Sequence, residues 1–339
     1  MCQSVPVRVV TYNLLHGVPL RDRIAAAQGS GEEVEVPELG APLGAPAAPP
    51  DGSANGVEQM NRHIWSPDVP DPAELLGSIE ELLAEGPIDV IALQEVDRFQ
   101  MRTGGVDQAR LVAEAIGAKH WRFAASVRGT PGIASEGAAW VPATDADDLP
   151  EDQSEPLRAP KGSAKDGPRY GVALISRYPV RRWRVKRFPP APVSLPLMAP
   201  TATGRPKAIK VPDEPRTAIS AIVELPYADV TIATAHLTFV PGYNTRQLTQ
   251  VRAFLAGSPR PMVLLGDFNT PGGIPGLVTG WNQVARTPTY PVARPRVQFD
   301  HIMADGWTDE AIAAARASAR AIPLPVSDHC ALLADFPDP

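Results

Sequence analysis

The sequence predicts an α/β fold of the α+β kind, in which packed β-sheets carry flanking helices. Two observations lead there. Short, strongly apolar runs read as buried strands, alternating with helical segments in places and following one another directly elsewhere, which does not suit a doubly wound parallel sheet. A chain of 339 residues, 44% of them hydrophobic and 21% charged, also buries a sizeable core without disulfide or metal staples.

Val7 to Leu15 (VRVVTYNLL) reads as a buried strand ending in a polar turn. A helix follows at DPAELLGSIEELLAEGP. Asp71 is its N-cap, Pro72 its first position, and Glu74 completes a capping box. Leu75, Leu76, Ile79, Leu82 and Leu83 form its apolar stripe, and Gly86-Pro87 ends it. Ile88 to Val96 is an almost wholly apolar strand closing on Gln94-Glu95, and DQARLVAEAIGA is a second helix. RYGVALISRYPV (169–180) and VKRF (185–188) are expected to pair as a hairpin, with two more strands in RTAISAIVEL and ADVTIATAHLTF. NTRQLTQVRAFLAGSP is helical, with Leu248, Val251 and Leu255 on one face. PMVLLGDFN, VQFDHIMA and DHCALLADF complete the strands, while DEAIAAARASARAI reads as helix from its alanines.

Proline, at 39 residues roughly double the usual share, clusters near 29–70, 142–168 and 188–215. Strand-like segments flank each stretch, so these read as insertions into one scaffold rather than linkers. The net charge of −6 argues against a protein that coats nucleic acid by bulk basicity, though a local basic groove is compatible with it. The two cysteines, Cys2 and Cys330, are too few for a disulfide framework. With no membrane-length apolar run and no secretory h-region, a cytoplasmic location is expected.

Strand after strand ends in a polar residue: Asn13, Glu95, His236, Asp267 with Asn269, Asp300-His301, and Asp328-His329. Any one alone reads as an Asx-turn or a cap. Together they gather at one sheet edge, where clustered carboxylates repel one another unless a cation sits among them. Hard oxygen ligands select Mg²⁺, Mn²⁺ or Ca²⁺. Zinc is disfavoured, since there is no HExxH or CxxC.

TYNLLHG, IALQEVD, TAHL, GDFN, FDHI and SDH, in that order, resemble the motif set of the endonuclease/exonuclease/phosphatase superfamily, which includes pancreatic deoxyribonuclease, abasic-site endonucleases and neutral sphingomyelinases. The resemblance spans Val7 to Phe336 outside the insertions. It implies a four-layer sandwich, two packed mixed sheets flanked by helices, as a single domain over 1–339, with a strand just before SDH. It also implies divalent-metal-dependent hydrolysis of phosphodiester or phosphomonoester bonds with Mg²⁺ or Mn²⁺. Residue by residue, Glu95 resembles the metal-binding glutamate, with Asn13 and Asp328 at or near the metal. Asp267 resembles the aspartate that orients or deprotonates water, and Asn269 would hold phosphate or water. His329, kept protonated by Asp300, looks like the phosphate-side histidine, and His236 like a general acid near the leaving group. Arg246 on the helix after AHL either reaches a phosphate or is solvated.

The resemblance leaves the substrate open among nucleic acid, a phospholipid headgroup and a small phosphodiester, for a protein expected to be monomeric. A catalytically silent metal- or phosphate-binding module on the same fold is the alternative, and a structural Ca²⁺ protein a third. His301 reads as a surface or rim histidine, and His16 either lines the site or sits in a turn. RRWRVKR (181–187) reads as an edge strand protected by charge in preference to a nucleic-acid track. FPPAPVSLPLMAP reads as a loop over the core in preference to a membrane-touching element.

Overall fold

The computed structural model describes residues 6–15, 71–131, 139–147, 167–199 and 207–339. His16 and the first insertion lie outside them, as does most of the second. In chain order the elements are β1 (Val7–Asn13), α1 (Pro72–Ala84), β2 (Val90–Arg98), α2 (Gln108–Ala115), β3 (His120–Thr130), β4 (Ala139–Pro142), β5 (Arg169–Ser176), β6 (Val180–Phe188), β7 (Ser194–Ala199) and β8 (Lys207–Pro212). There follow β9 (Arg216–Glu224), β10 (Asp229–His236), α3 (Tyr243–Leu255), β11 (Met262–Asp267), α4 (Ile274–Thr279), β12 (Asn282–Gln283), β13 (Asp300–Asp305), α5 (Asp309–Ser318), β14 (Arg320–Ile322) and β15 (Ala331–Phe336).

Two mixed sheets result. The seven-stranded sheet runs β14-β15-β1-β2-β5-β3-β4 and the six-stranded sheet β12-β13-β11-β10-β9-β6. Each holds one parallel pair, β1 with β2 and β10 with β11, so the carboxyl ends within each pair lie side by side.

Side-chain alternation explains the layers. Val7, Val9, Val90, Ala92, Ile232, Val263, Leu265, Ile302 and Ala304 meet in one core between the sheets. Their neighbours on the opposite face, Val10, Tyr12, Ile91 and Leu93, pack against Leu75, Ile79 and Leu82 of α1 and Leu111 and Val112 of α2. Ala233, Ala235 and Leu264 pack against Leu248, Val251 and Leu255 of α3. Helix, sheet, sheet and helix therefore stack as four layers. Asp71 caps α1, its Oδ1 accepting from the Ala73 N–H at 2.9 Å, with Pro72 in the first turn.

Three expectations are corrected or refined. Strands 169–176 and 180–188 are not a hairpin, because β5 enters the seven-stranded sheet and β6 forms the edge of the other. The polypeptide crosses between sheets at Arg177–Pro179, where the Ser176 hydroxyl accepts from the Tyr178 N–H. The third insertion is not simply a loop, since β7 and β8 pair antiparallel. The alanine-rich segment splits into α5 and the short β14, a strand just before SDH as the resemblance implied. The basic run occupies the β6 edge, where Arg181 pairs with Glu224 and Asp229, Arg184 lies 4.4 Å over the Phe254 ring, and Arg187 pairs with Asp145. Those partners favour the protected-edge reading. No helix among the described residues is long and apolar enough to cross a membrane.

Gly266, one residue before the end of β11, adopts φ +145°, and a Cβ there would drive into the Ala235 carbonyl of β10. Gly257, also at positive φ, faces open space. We expect Gly266→Ala to cost more than about 2 kcal/mol in chemical denaturation and Gly257→Ala about 1 kcal/mol. Equal costs would show that the close approach of β10 and β11 does not require the glycine.

Candidate active site

The inward-facing positions of the central strands change character toward one edge. On β1 the series is Val9, Thr11, Asn13; on β10, Ile232, Thr234, His236; on β11, Val263, Leu265, Asp267; and on β13, read backwards, Ala304, Ile302, Asp300. Each strand carries its core residues and its polar terminus on the same face. Just below the edge, Gln94 ties the sheets together, accepting from Thr11 Oγ1 at 3.1 Å and donating to Thr234 Oγ1 at 3.0 Å.

Glu95 reaches the edge by a different route. The β2–β5 register slips between Leu93 and Val96, a bulge, and Glu95 sits there at φ +54°. Behind it, Asp97 accepts two 2.7 Å bonds from Arg102, and Arg98 pairs with Asp107 in full burial at 2.9 Å. These contacts anchor the chain between the left-handed residues Glu95 and Phe99.

The six-stranded sheet contributes Asp267, His236 and Asp300, while the seven-stranded sheet and the turn before β15 contribute Asn13, Glu95, Asp328 and His329. Asn13 Nδ2 donates across the sheets to Asp267 Oδ2 at 3.0 Å and to Glu95 Oε1 at 3.2 Å, and its Oδ1 accepts from the Leu15 N–H. His329 Nδ1 donates to Asp300 Oδ2 at 2.7 Å, again across the sheets, and the Thr289 hydroxyl donates to the same oxygen at 2.6 Å. His329 Nε2 lies 4.0 Å from both Asp267 Oδ2 and Asp328 Oδ1. His236 Nε2 lies 3.7 Å from Asp267 Oδ2 and 4.0 Å from Glu95 Oε1. One ligand-capable atom from each of Asp267, Asp300 and His329 falls within a 4.8 Å group.

Asn269 arrives by a turn rather than by strand alternation, since β11 ends at Asp267 and Asn269 adopts φ +47°. Its N–H donates to Asp267 Oδ1 at 2.8 Å and its Nδ2 to the Leu237 carbonyl at 2.9 Å. Asn244 Nδ2 donates to its carbonyl. Arg246 is exposed on the first turn of α3 and makes no side-chain hydrogen bond or ion pair to the group. His301 is fully buried rather than on the rim. It points away from the site, stacks on Phe268 with centroids 5.3 Å apart, and its Nε2–H donates to the Thr270 carbonyl at 2.8 Å. Burial holds it down to about 4, uncharged.

Sequence reasoning missed Arg216. Antiparallel pairing of β9 with β10 sets Thr217 opposite His236, and the buried Arg216 places Nη1 3.2 Å from His236 Nδ1. An arginine opening a strand carries no sequence signal of this. Thr289 was missed too.

The local charges set the protonation states. Burial and the repulsion of Asp328 raise Glu95 to about 7, against the Asn13 hydrogen bond. Burial raises Asp267 to about 6, opposed by His329. Burial alone would lower His329, but Asp300 and then Asp267 outweigh it, so its imidazole stays charged well above the usual range. Burial and the Arg216 guanidinium push His236 the other way, well below. Arg216 Nη1 lies 3.2 Å from Nδ1 and 3.4 Å from Nε2, so the neutral ring accepts from the guanidinium.

A hard divalent cation fits this donor set. Once ionised, Glu95, Asp267, Asp300 and Asp328 outnumber the positive charges of His329 and of Arg216, which Asp213 also pairs with at 3.5 Å. The nearby thiol of Cys330 is buried and pushed up to about 12, unsuited to a thiolate site. His329, hydrogen-bonded and cationic, serves poorly as a ligand.

The model describing the Endonuclease/Exonuclease/phosphatase family matches residues 10–329. Similar solved structures include an endonuclease/exonuclease/phosphatase from Beutenbergia cavernae at 18% identity and TM-score 0.47, covering 98% of this chain and 72% of that one. The catalytic domain of human nocturnin is 14% identical with TM-score 0.45, covering 99% and 94%. Sphingomyelinase C from Streptomyces griseocarneus is 12% identical with TM-score 0.45, covering 98% and 100%. No curated protein matches the sequence.

Glu95 and Asp267 hold protons in the folded state up to about 7 and about 6, whereas unfolded carboxyls release them near ~4. Between those values the folded form binds more protons, so stability falls as pH rises through the window. His329, raised by folding, contributes fully below ~6.5 and loses its contribution as pH climbs through its folded value. A cation prefers the ionised carboxylates. The rise in melting temperature on adding saturating Mg²⁺ is therefore expected to be larger at about pH 8 than at about pH 5, and Glu95→Gln to flatten that difference. A Mg²⁺ effect independent of pH would show that these carboxylates do not hold the ion.

Proposed function

The chain belongs to the Endonuclease/Exonuclease/phosphatase family, and on that basis we propose that it is a divalent-metal-dependent hydrolase of phosphate esters, acting on phosphodiesters first. One observation carries the reading: two histidines, 3.7 and 4.0 Å from the same oxygen of Asp267, are driven to opposite protonation states. Environments that push neighbouring titratable groups apart assign acid and base roles.

Asp267, ionised above about 6, accepts the proton of the attacking water. The N–H of Asn269 and the amide of Asn13 fix the carboxylate, one on each oxygen. His329, charged and held by Asp300, offers Nε2–H to a phosphoryl oxygen and stabilises charge that develops there. His236 was expected to be a general acid. With Arg216 beside it, we assign it instead as a neutral imidazole that orients the phosphate. Asn269 closes that side, its Nδ2 3.5 Å from His236 Nε2. A divalent cation held by Glu95 and Asp328, with Asn13 beside them, would supply further positive charge to the phosphoryl oxygens. Magnesium or manganese suits the oxygen donors. Arg246, exposed and outside the group, we assign at most to substrate beyond the scissile phosphate. We read the chain as one domain and as a monomer acting in the cytoplasm.

Turnover of bis(p-nitrophenyl) phosphate with Mg²⁺ or Mn²⁺ tests the reading. Asp267→Ala should lower kcat by about 10³-fold or more and His329→Ala by about 10²-fold, each with a cooperative unfolding transition retained. Wild-type rates in Asp267→Ala would overturn the assignment. Silence of wild type toward this diester, a monoester and a plasmid, while Mg²⁺ still stabilises the fold, would make the protein a binding module.

A further inference from the structure

We propose that a cleft beside the catalytic group is a second anion subsite, which takes a phosphate carried by the same substrate next to the scissile one. The inference rests on the hydrolase reading above and narrows its substrate to organophosphates bearing more than one phosphate.

The cleft has a volume of about 690 Å³ and lies between the 271–273 turn, α4, β12, the 286–298 segment and α5. That is the size range of sites for small organic ligands. Arg286, Arg296 and Arg316 line it and no aspartate or glutamate does, in a chain whose net charge is −6. Arg316 is pre-set. Its Nε donates to the Gln283 carbonyl at 3.1 Å and its Nη2 to Asn282 Oδ1 at 3.3 Å, neutral partners that fix a guanidinium with no ion pair among the described residues. Arg286 is exposed and has no ion pair among the described residues. Guanidinium groups so placed favour phosphate oxygens.

The rest of the cleft suits more than a bare anion. A Cβ added at Gly272 or Gly273 would meet nothing within 4 Å, so the turn's backbone leaves its floor open. Trp281, half-buried, and the exposed Leu277 give one side an apolar wall that an inorganic ion would leave unused. Along the chain, the lining comes close to the catalytic group. Gln298 stands two residues before Asp300, Pro271 two after Asn269, and Pro288 adjoins Thr289, the residue that donates to Asp300. Two residues span at most ~7 Å of backbone, the scale a substrate's two phosphates would have to bridge.

The test compares thymidine 5′-(p-nitrophenyl phosphate) with the same ester carrying a 3′-phosphate. The added phosphate should lower KM about tenfold at low salt, with the gain shrinking as ionic strength rises. In Arg286→Gln/Arg316→Gln the preference should disappear while turnover of bis(p-nitrophenyl) phosphate stays at the wild-type rate. Equal KM values in wild type, or a preference surviving in the double variant, overturn the proposal. Should wild type hydrolyse none of these esters, the hydrolase reading fails and calorimetry still decides the subsite. Thymidine 3′,5′-bisphosphate should bind about tenfold tighter than the 5′-monophosphate to wild type and equally to the double variant. No such difference in wild type overturns the subsite. Displacement of the bisphosphate by inorganic phosphate at equal concentration also overturns it, by making it a free-anion site.

Discussion

The structure depends on bringing like charges together where burial makes their repulsion strong. Glu95, Asp267, Asp300 and Asp328 meet at one edge against His329 and an Arg216 that Asp213 shares. Unpaired buried charge is costly, so Asp267 and Asp300 are each held by two contacts and Glu95 by its backbone. Asp300 takes His329 and Thr289 on one oxygen, Asp267 takes Asn13 and the Asn269 N–H on two, and Glu95 is fixed by a bulge with ion pairs behind it. The apolar core between the sheets supplies the rigidity against which those contacts hold.

Much of this was legible in the sequence. An apolar run closing on an acid or amide marks a strand end, and several such ends in one chain imply a shared edge. Asn269 approaches His236 by a route that strand spacing does not describe. Strand alternation would have pointed it with Asp267, but β11 stops at Asp267, and a left-handed turn swings Asn269 toward His236. His301 shows the reverse error. It sits beside Asp300 on β13, yet alternation sends it to the opposite face, where it supports the turn through Thr270 as a neutral core side chain.

What sequence could not give was pairing between strands. Arg216 acts on His236 because β9 and β10 are antiparallel in a particular register, and neither segment encodes that alone. The same blindness produced the false hairpin at 169–188. Two strands three residues apart look like natural partners, but β5 has β2 and β3 to satisfy it and β6 has β9. Local spacing carries no information about which sheet a strand joins.

The link made by Gln94 has a mechanical consequence. Asn13, Glu95 and His329 ride on one sheet and Asp267, His236 and Asp300 on the other, so the contacts between these sets all depend on a single coordinate, the slide of one sheet over its neighbour. A displacement along it would part Asn13 from Asp267 and His329 from Asp300 in the same motion. Gln94, bonded to Thr11 and Thr234 directly beneath the charges, acts as a shear pin at the point where slippage would do most damage.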